Sequence, residues 1–312
     1  MKIYINRKPV QGPWGGGSKF LLSLERELAS SGFEISYSWK DIASADLIYC
    51  HDPRPNDEGV WFQDFINAKL KYGIPILQRV GDTGSHGKKD LTELVRASTA
   101  YSDFVIFPSK WAKEYVGFSG NNCSIINNSP LEDFYKHRKL GHTLSEPIRI
   151  VTHHWSDNEK KGFETYRELA SFCQANPDKY QFSYIGRFRH PLPDYGMTYF
   201  EPMDTGQISA ELPLHDVYIT ASLEEAGANH VLEAMACGLP VLFHEGGGSI
   251  NEYCSGYGLS YSCFDSLIKS LDQLILKYHV YTDAVKKYNR VPHDMSIGYV
   301  DIARHIIGKT KK

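Results

Sequence analysis

Apolar and polar positions along this chain follow two alternating rhythms. Short runs of consecutive apolar residues, bounded by turn residues, are separated by longer stretches whose apolar positions fall three and four apart. The first rhythm predicts buried strands at residues 2–6, 46–51, 74–79, 103–108 and 123–127. The second predicts helices at 19–31, 59–72, 89–101 and 111–116. The helix at 19–31 shows the spacing well: Phe20, Leu21, Leu24 and Leu28 share one face, and Gly32 ends it. Strands that alternate with helices build a parallel sheet, because a parallel crossover needs a covering helix.

Around residues 137–147 (HRKLGHTLSEP) apolar content falls and turn residues dominate, which reads as a linker. The alternation then restarts. Strands are predicted at 148–152, 181–185, 199–201, 216–221, 239–243 and 257–261, with helices at 162–176, 206–212, 229–237 and 264–278. The expected fold class is therefore α/β: two Rossmann-like, doubly wound domains, residues 1–142 and 143–295.

The most informative stretch is 216–248, DVYITASLEEAGANHVLEAMACGLPVLFHEGGG. It reads as one βαβ unit with two carboxylates, Glu225 in the loop and Glu233 in the helix. Val231, Leu232, Ala234, Met235 and Ala236 make that helix apolar nearly all round, so it should be buried and Glu233 should need a polar partner. Ligand hydroxyls at the carboxyl edge of the sheet would supply one, since open α/β sheets bind ligands at that edge.

Composition narrows the function. The chain has 312 residues, a net charge of −3 and a pI near 6.5, with no long basic run apart from the tail Lys309 to Lys312, so nucleic acid is not an expected partner. Six cysteines without paired close spacing suit reduced thiols, and no apolar run reaches the length of a membrane span, so a cytoplasmic protein is expected. His153-His154-Trp155 and His190 raise the question of metal, but His153 and His154 are adjacent and point in different directions in most backbones, and no metal site is expected. The glycine loop Pro13-Trp14-Gly15-Gly16-Gly17-Ser18 opens a helix, which presents bare amides to an anion. Polar residues also gather where strands of the first domain end: His51 and Asp52 after one, Arg79, Asp82 and His86 after another. His51, Asp82 and His86 are the candidates for an acceptor site.

The string Ser222-x-x-Glu225-x7-Glu233-Ala-Met-Ala-Cys-Gly-Leu-Pro-Val resembles the nucleotide-sugar signature of retaining glycosyltransferases of family 4, which have the GT-B fold. Other pieces fall in the family's order: the glycine loop, Asn127-Asn128-Ser129-Pro130 with Phe134, Lys161-Gly162, Gly246-Gly247-Gly248 and Glu252. The resemblance implies two domains facing a central cleft, with a last helix (296–312) crossing back to the first. It implies transfer of a sugar, with retention and without metal or other cofactor, from a nucleotide-diphosphate sugar to a hydroxyl of a glycan, lipid-linked or envelope polysaccharide acceptor. Glu233 would hold the ribose hydroxyls and Glu225 the donor sugar. Lys161 would neutralise the diphosphate, and the amides of Gly227, Ala228 and Asn229, with Gly16 and Gly17 from the other domain, would cradle it.

In one respect the chain departs from that pattern. Where the family carries Gly-Arg before its Lys-Gly, this strand ends His153-His154-Trp155; His154 as a neutral imidazole would donate one hydrogen bond without fixed charge, so either Lys161 works with another cation, for which Arg187 is the candidate, or activity is weaker. Two-domain epimerases, phosphorylases and non-catalytic sugar-binding relatives share the architecture and are the competing readings. A modestly basic face, Lys88-Lys89 to Arg96 with Lys110, Trp111 and Lys113, would suit weak contact with the inner membrane surface.

Overall fold

A computed structural model describes residues 1–10, 16–141, 143–188 and 196–310. Pro13, Trp14, Gly15, His190, Lys311 and Lys312 therefore lie outside the described residues. The chain divides into two compact units, one built from residues 1–10, 16–128 and 292–310, the other from residues 129–291.

Unit 1 contains β1 (Lys2–Ile5), α1 (Gly16–Ser30), β2 (Glu34–Ser36), β3 (Leu47–Cys50), α2 (Phe62–Tyr72), β4 (Ile76–Arg79), α3 (Lys89–Tyr101), β5 (Phe104–Phe107), α4 (Lys110–Val116) and β6 (Cys123–Ile125). All six strands are parallel, in the order β2-β1-β3-β4-β5-β6. Side chains alternate through the sheet. Ile3 and Ile5 join the core under α1, and Tyr4 joins the core under α2 with Phe62 and Phe65.

Unit 2 contains β7 (Ile148–His154), α5 (Phe163–Ala175), β8 (Tyr180–Gly186), β9 (Thr198–Phe200), α6 (Thr205–Glu211), β10 (Val217–Thr220), α7 (Asn229–Ala236), β11 (Val241–His244), α8 (Ser249–Cys254), β12 (Gly258–Tyr261), α9 (Phe264–Leu276) and α10 (Tyr278–Lys286). Its parallel sheet runs β12-β11-β10-β7-β8-β9. The last helix, α11 (Pro292–Thr310), returns to unit 1, where Met295, Tyr299, Val300, Ala303 and Ile307 pack in the α1 core.

Several elements differ from the sequence expectation. β7 runs two residues past 152, because His153 and His154 continue the ladder opposite Ile185 and Gly186. The helix expected at 264–278 is broken at Lys277, whose φ of −111° and ψ of 27° leave the helical region, and α10 begins there. β2 and α8 have no counterpart in the sequence reading. β2 is a three-residue edge strand with no buried residue, and α8 is a six-residue helix; neither is long enough to show a period.

Candidate functional site

In unit 2, β7 and β10 are neighbours, yet the chain builds outward from them in opposite directions. Such a switch point opens a crevice at the carboxyl ends of the two strands. The residues at those ends are His153 and His154 on β7 and the segment after Thr220 on β10. A 3-10 turn, Glu159–Lys161, follows β7, and α7 starts at Asn229.

Each candidate carboxylate has a cationic or imidazole neighbour. Glu233, on the buried face of α7, accepts from His153 Nε2 at 2.8 Å; both side chains are 7% exposed. Its partner is therefore supplied by the protein, through a strand 80 residues earlier. Glu225 Oε1 accepts from Lys161 Nζ at 2.5 Å, with side chains 13% and 11% exposed. Beside them Lys160 pairs with Glu224, the one described non-glycine residue with positive φ, at 52°.

The backbone holds this loop on three segments. Leu223 N–H donates to the Lys160 carbonyl, Glu224 and Glu225 N–H donate to the carbonyls of Gly246 and Gly247, and the Glu225 carbonyl accepts from Ser249 N–H at 2.8 Å. Gly162, at φ +79°, closes the turn that carries Lys161. A Cβ there would sit 2.4 Å from the Ala221 carbonyl oxygen, so only glycine lets the two loops touch.

Three imidazoles surround the crevice. The His154 and His230 rings lie 5.2 Å apart, and those of His153 and His230 6.3 Å. His154 Nε2 is 2.6 Å from the Tyr166 hydroxyl, which also accepts from Ala221 N–H at 2.9 Å. His230 Nε2 is 3.0 Å from Thr220 Oγ1. Burial, reinforced by His230 and Lys161, pushes His154 well below the ordinary imidazole value. Burial likewise lowers His230 to about 3, with Lys161 acting in the same direction and Glu225 against it. Both rings are neutral at pH 7, and fixed positive charge comes from the lysines.

Three buried polar atoms around the crevice have no hydrogen-bond partner among the described residues: His153 Nδ1, Ser222 Oγ and Asn229 Oδ1. Buried polar atoms are nearly always satisfied, and three on adjoining elements indicate a place for a polar ligand.

The structure brings Glu225, Glu233, Lys161, Gly227, Ala228, Asn229 and His154 to one sheet edge. The Ala228 amide, however, already donates to Ser249 Oγ at 3.1 Å. Arg187 lies just past β8, exposed, with its guanidinium 4.4 Å above the Trp155 ring. Gly16, Gly17, His51, Asp82 and His86 belong to unit 1. There Gly16 and Gly17 open α1, and Asp82 is engaged by Lys88 Nζ at 2.7 Å and Gly84 N–H at 2.9 Å. On the basic face, Lys88 is thus taken by Asp82 and Arg96 by Glu93 and the carbonyls of Tyr115 and Val116. His230, Tyr166 and Ser249 were not singled out from the sequence. His230, one residue into α7, is the one whose position in the signature helix could have flagged it.

Among the described residues no group of three or more His, Cys, Asp or Glu side chains is placed to hold a metal ion. Among them, too, no helix is long and apolar enough to cross a membrane.

No family model matches the chain, and no curated protein matches it. Solved structures do. WaaG, a glycosyltransferase involved in lipopolysaccharide biosynthesis, is 13% identical, with 97% of this chain and 99% of that one covered at a TM-score of 0.67. Sucrose-phosphate synthase from Thermosynechococcus elongatus is 15% identical, covering 99% and 98%, at 0.67. Anabaena HepE, solved in complex with UDP and glucose, is 14% identical, covering 100% and 99%, at 0.66. Two parallel six-stranded sheets covered by helices, matched over the full length of such chains, make this the GT-B fold of glycosyltransferases.

Proposed function

We propose that the chain is a glycosyltransferase that moves a sugar from a nucleotide-diphosphate sugar to an acceptor hydroxyl with retention of configuration, in the manner of family 4. The observation that carries this reading is the crevice at the β7–β10 switch point, where Glu225, Glu233 and Lys161 meet three unsatisfied buried polar atoms. HepE, of the same fold, has been solved with UDP and glucose, which supports a nucleotide-sugar donor.

In this reading Glu233, already oriented by His153, accepts from the ribose hydroxyls. Lys161 leaves Glu225 for the diphosphate, and the released Glu225 carboxylate accepts from donor-sugar hydroxyls. Each ion of the resting pair thus acquires a ligand partner of opposite polarity, so little is lost when the pair opens. The acceptor oxygen bonds to the anomeric carbon as the bond to the diphosphate breaks, and the acceptor proton passes to a diphosphate oxygen on the same face. Lys161 stabilises the charge that develops there, and no metal is needed.

Calorimetry with UDP, GDP, ADP and dTDP tests the site. Glu233→Ala should weaken the best nucleotide about 10- to 100-fold, the equivalent of a hydrogen bond to a charged group. Undiminished affinity would refute the assignment. NMR of the product anomer tests retention.

A further inference from the structure

The carboxyl end of the unit 1 sheet holds a buried cation with no anion. Arg79, the last residue of β4, is 5% exposed. Its Nη2 donates to Asn128 Oδ1 at 3.1 Å, and the Phe20 ring lies 4.1 Å from the guanidinium carbon. Its Nε is buried without a partner, and among the described residues no carboxylate pairs with it. The nearby carboxylate is committed elsewhere: Asp52 takes two hydrogen bonds from Arg54 Nε and one from Nη2 at 2.6 Å. A buried charge left uncompensated costs several kcal/mol, so such groups are normally paired.

The surroundings add donors, while the nearby Asp52 carboxylate is held by Arg54. Among the described residues Tyr49 OH and His51 Nδ1 are also buried and unpartnered, and the buried Tyr299 OH lies against Arg79. Their rings form one cluster with Phe20, at centroid distances of 5.1–6.3 Å. Burial lowers His51 to about 3, Arg79 pushing the same way, so this ring is neutral. Asn6 fixes its backbone, accepting from His51 N–H at 2.8 Å. The first turn of α1 has no acidic residue, and its positive dipole end lies beside the imidazole: a Cβ on exposed Gly17 would be 3.5 Å from His51 Nε2.

We propose that unit 1 receives an acceptor carrying a phosphate ester, whose oxygens take the free donors of Arg79 and its neighbours. The word acceptor rests on the glycosyltransferase reading; the anion site does not. A phosphate monoester suits the cluster because its three terminal oxygens and near-double charge match a fixed guanidinium fork plus several scattered donors.

Thermal unfolding of the full chain tests this, with glucose 6-phosphate, inorganic phosphate and glucose each set against chloride at equal ionic strength. Glucose 6-phosphate at a hundredfold excess over its Kd should raise the Tm of the responding transition by about 5–10 °C, and glucose should not. Arg79→Met should abolish the rise and lose no stability in phosphate-free buffer, since it removes an uncompensated charge. Gly81→Ala, whose Cβ would fall 1.8 Å from Arg79 Nη1, should abolish the rise while keeping the charge. A shift that survives in both variants, or no shift in the wild type, would overturn the site. A response to inorganic phosphate with none to the ester would overturn the ester, and loss of the ester shift under saturating UDP would assign the anion to the donor instead. Should the wild type fail to bind any nucleotide, the transferase reading falls while the anion site is still judged on the ester shift alone.

Discussion

Lys161 and Glu225 are each about nine-tenths buried, and each is the other's counter-ion. Removing one therefore does more than delete a contact, because it takes the counter-ion from a buried charge. Lys161→Ala should lower affinity for a nucleotide diphosphate about 10- to 100-fold, measured by calorimetry, and should weaken the parent nucleoside far less. Equal losses for both would show that the lysine acts on folding and not on the diphosphate. Tyr166 makes a separate case. Its hydroxyl serves the Ala221 amide and His154 at once, so Tyr166→Phe takes the partner from the buried Ala221 amide and leaves His154 Nε2 only Thr152 Oγ1 at 3.3 Å, and should cost about 1–3 kcal/mol in urea unfolding. The sequence made Glu225 and Glu233 visible because both sit in one contiguous βαβ pattern. It could not reveal His153 as the partner of Glu233: that contact spans 80 residues and exists only once β7 and β10 are neighbours. His153 and His154 point to opposite faces of β7, one to α7 and one to α5, which adjacent residues in a strand must do.

Among the elements, β1, β3 and β10 are legible as continuous apolar runs because a doubly covered parallel strand is one, whereas the partly buried β6, β9 and β12 are placed mainly by the alternation with helices. β2 could not be read because it is a three-residue edge strand with a single apolar residue, Ile35, nor could the break at Lys277, since an apolar stripe does not lose phase clearly at one residue. The short turn Glu159–Lys161 with Gly162 carries more function than its length suggests. It sets where Lys161 projects, and its position depends on Gly162 fitting against Ala221. Gly162→Ala should cost about 2 kcal/mol or more, from the left-handed backbone and the clash together. It should also weaken nucleotide-diphosphate binding although no ligand-facing atom is removed. If stability falls and affinity does not, the turn is a structural hinge only.

At the scale of the whole molecule, four histidines tie stability to pH. Burial lowers His51 and His230 to about 3, His215 to about 4, and His154 well below its ordinary value. In the unfolded chain each titrates near 6.5. Above that pH both states are neutral and these groups cost nothing. As pH falls from 6.5 towards 4 the unfolded chain takes up protons that the folded chain refuses, so stability drops. Each group contributes at most about 1.4 kcal/mol per pH unit, or about 5.5 kcal/mol per pH unit for the four together. Because the His51 and His230 rings are partly exposed, the observed slope should fall below that limit. His293 works in the opposite sense. Its exposed ring is raised by Glu27, so its small contribution is present below 6.5 and fades above it, leaving the acid limb unchanged. His51 belongs to unit 1 and the other three lowered histidines to unit 2, so unit 2 should lose more stability as the pH falls. Calorimetry between pH 7 and pH 4.5 should show the transition that UDP stabilises moving further than the other. A UDP-responsive transition that stays fixed over that range would mean that the imidazoles of the crevice take up protons at the same pH folded as unfolded, and one that moves up as the pH falls would mean that they are charged at neutral pH and share the place of the missing arginine with Lys161.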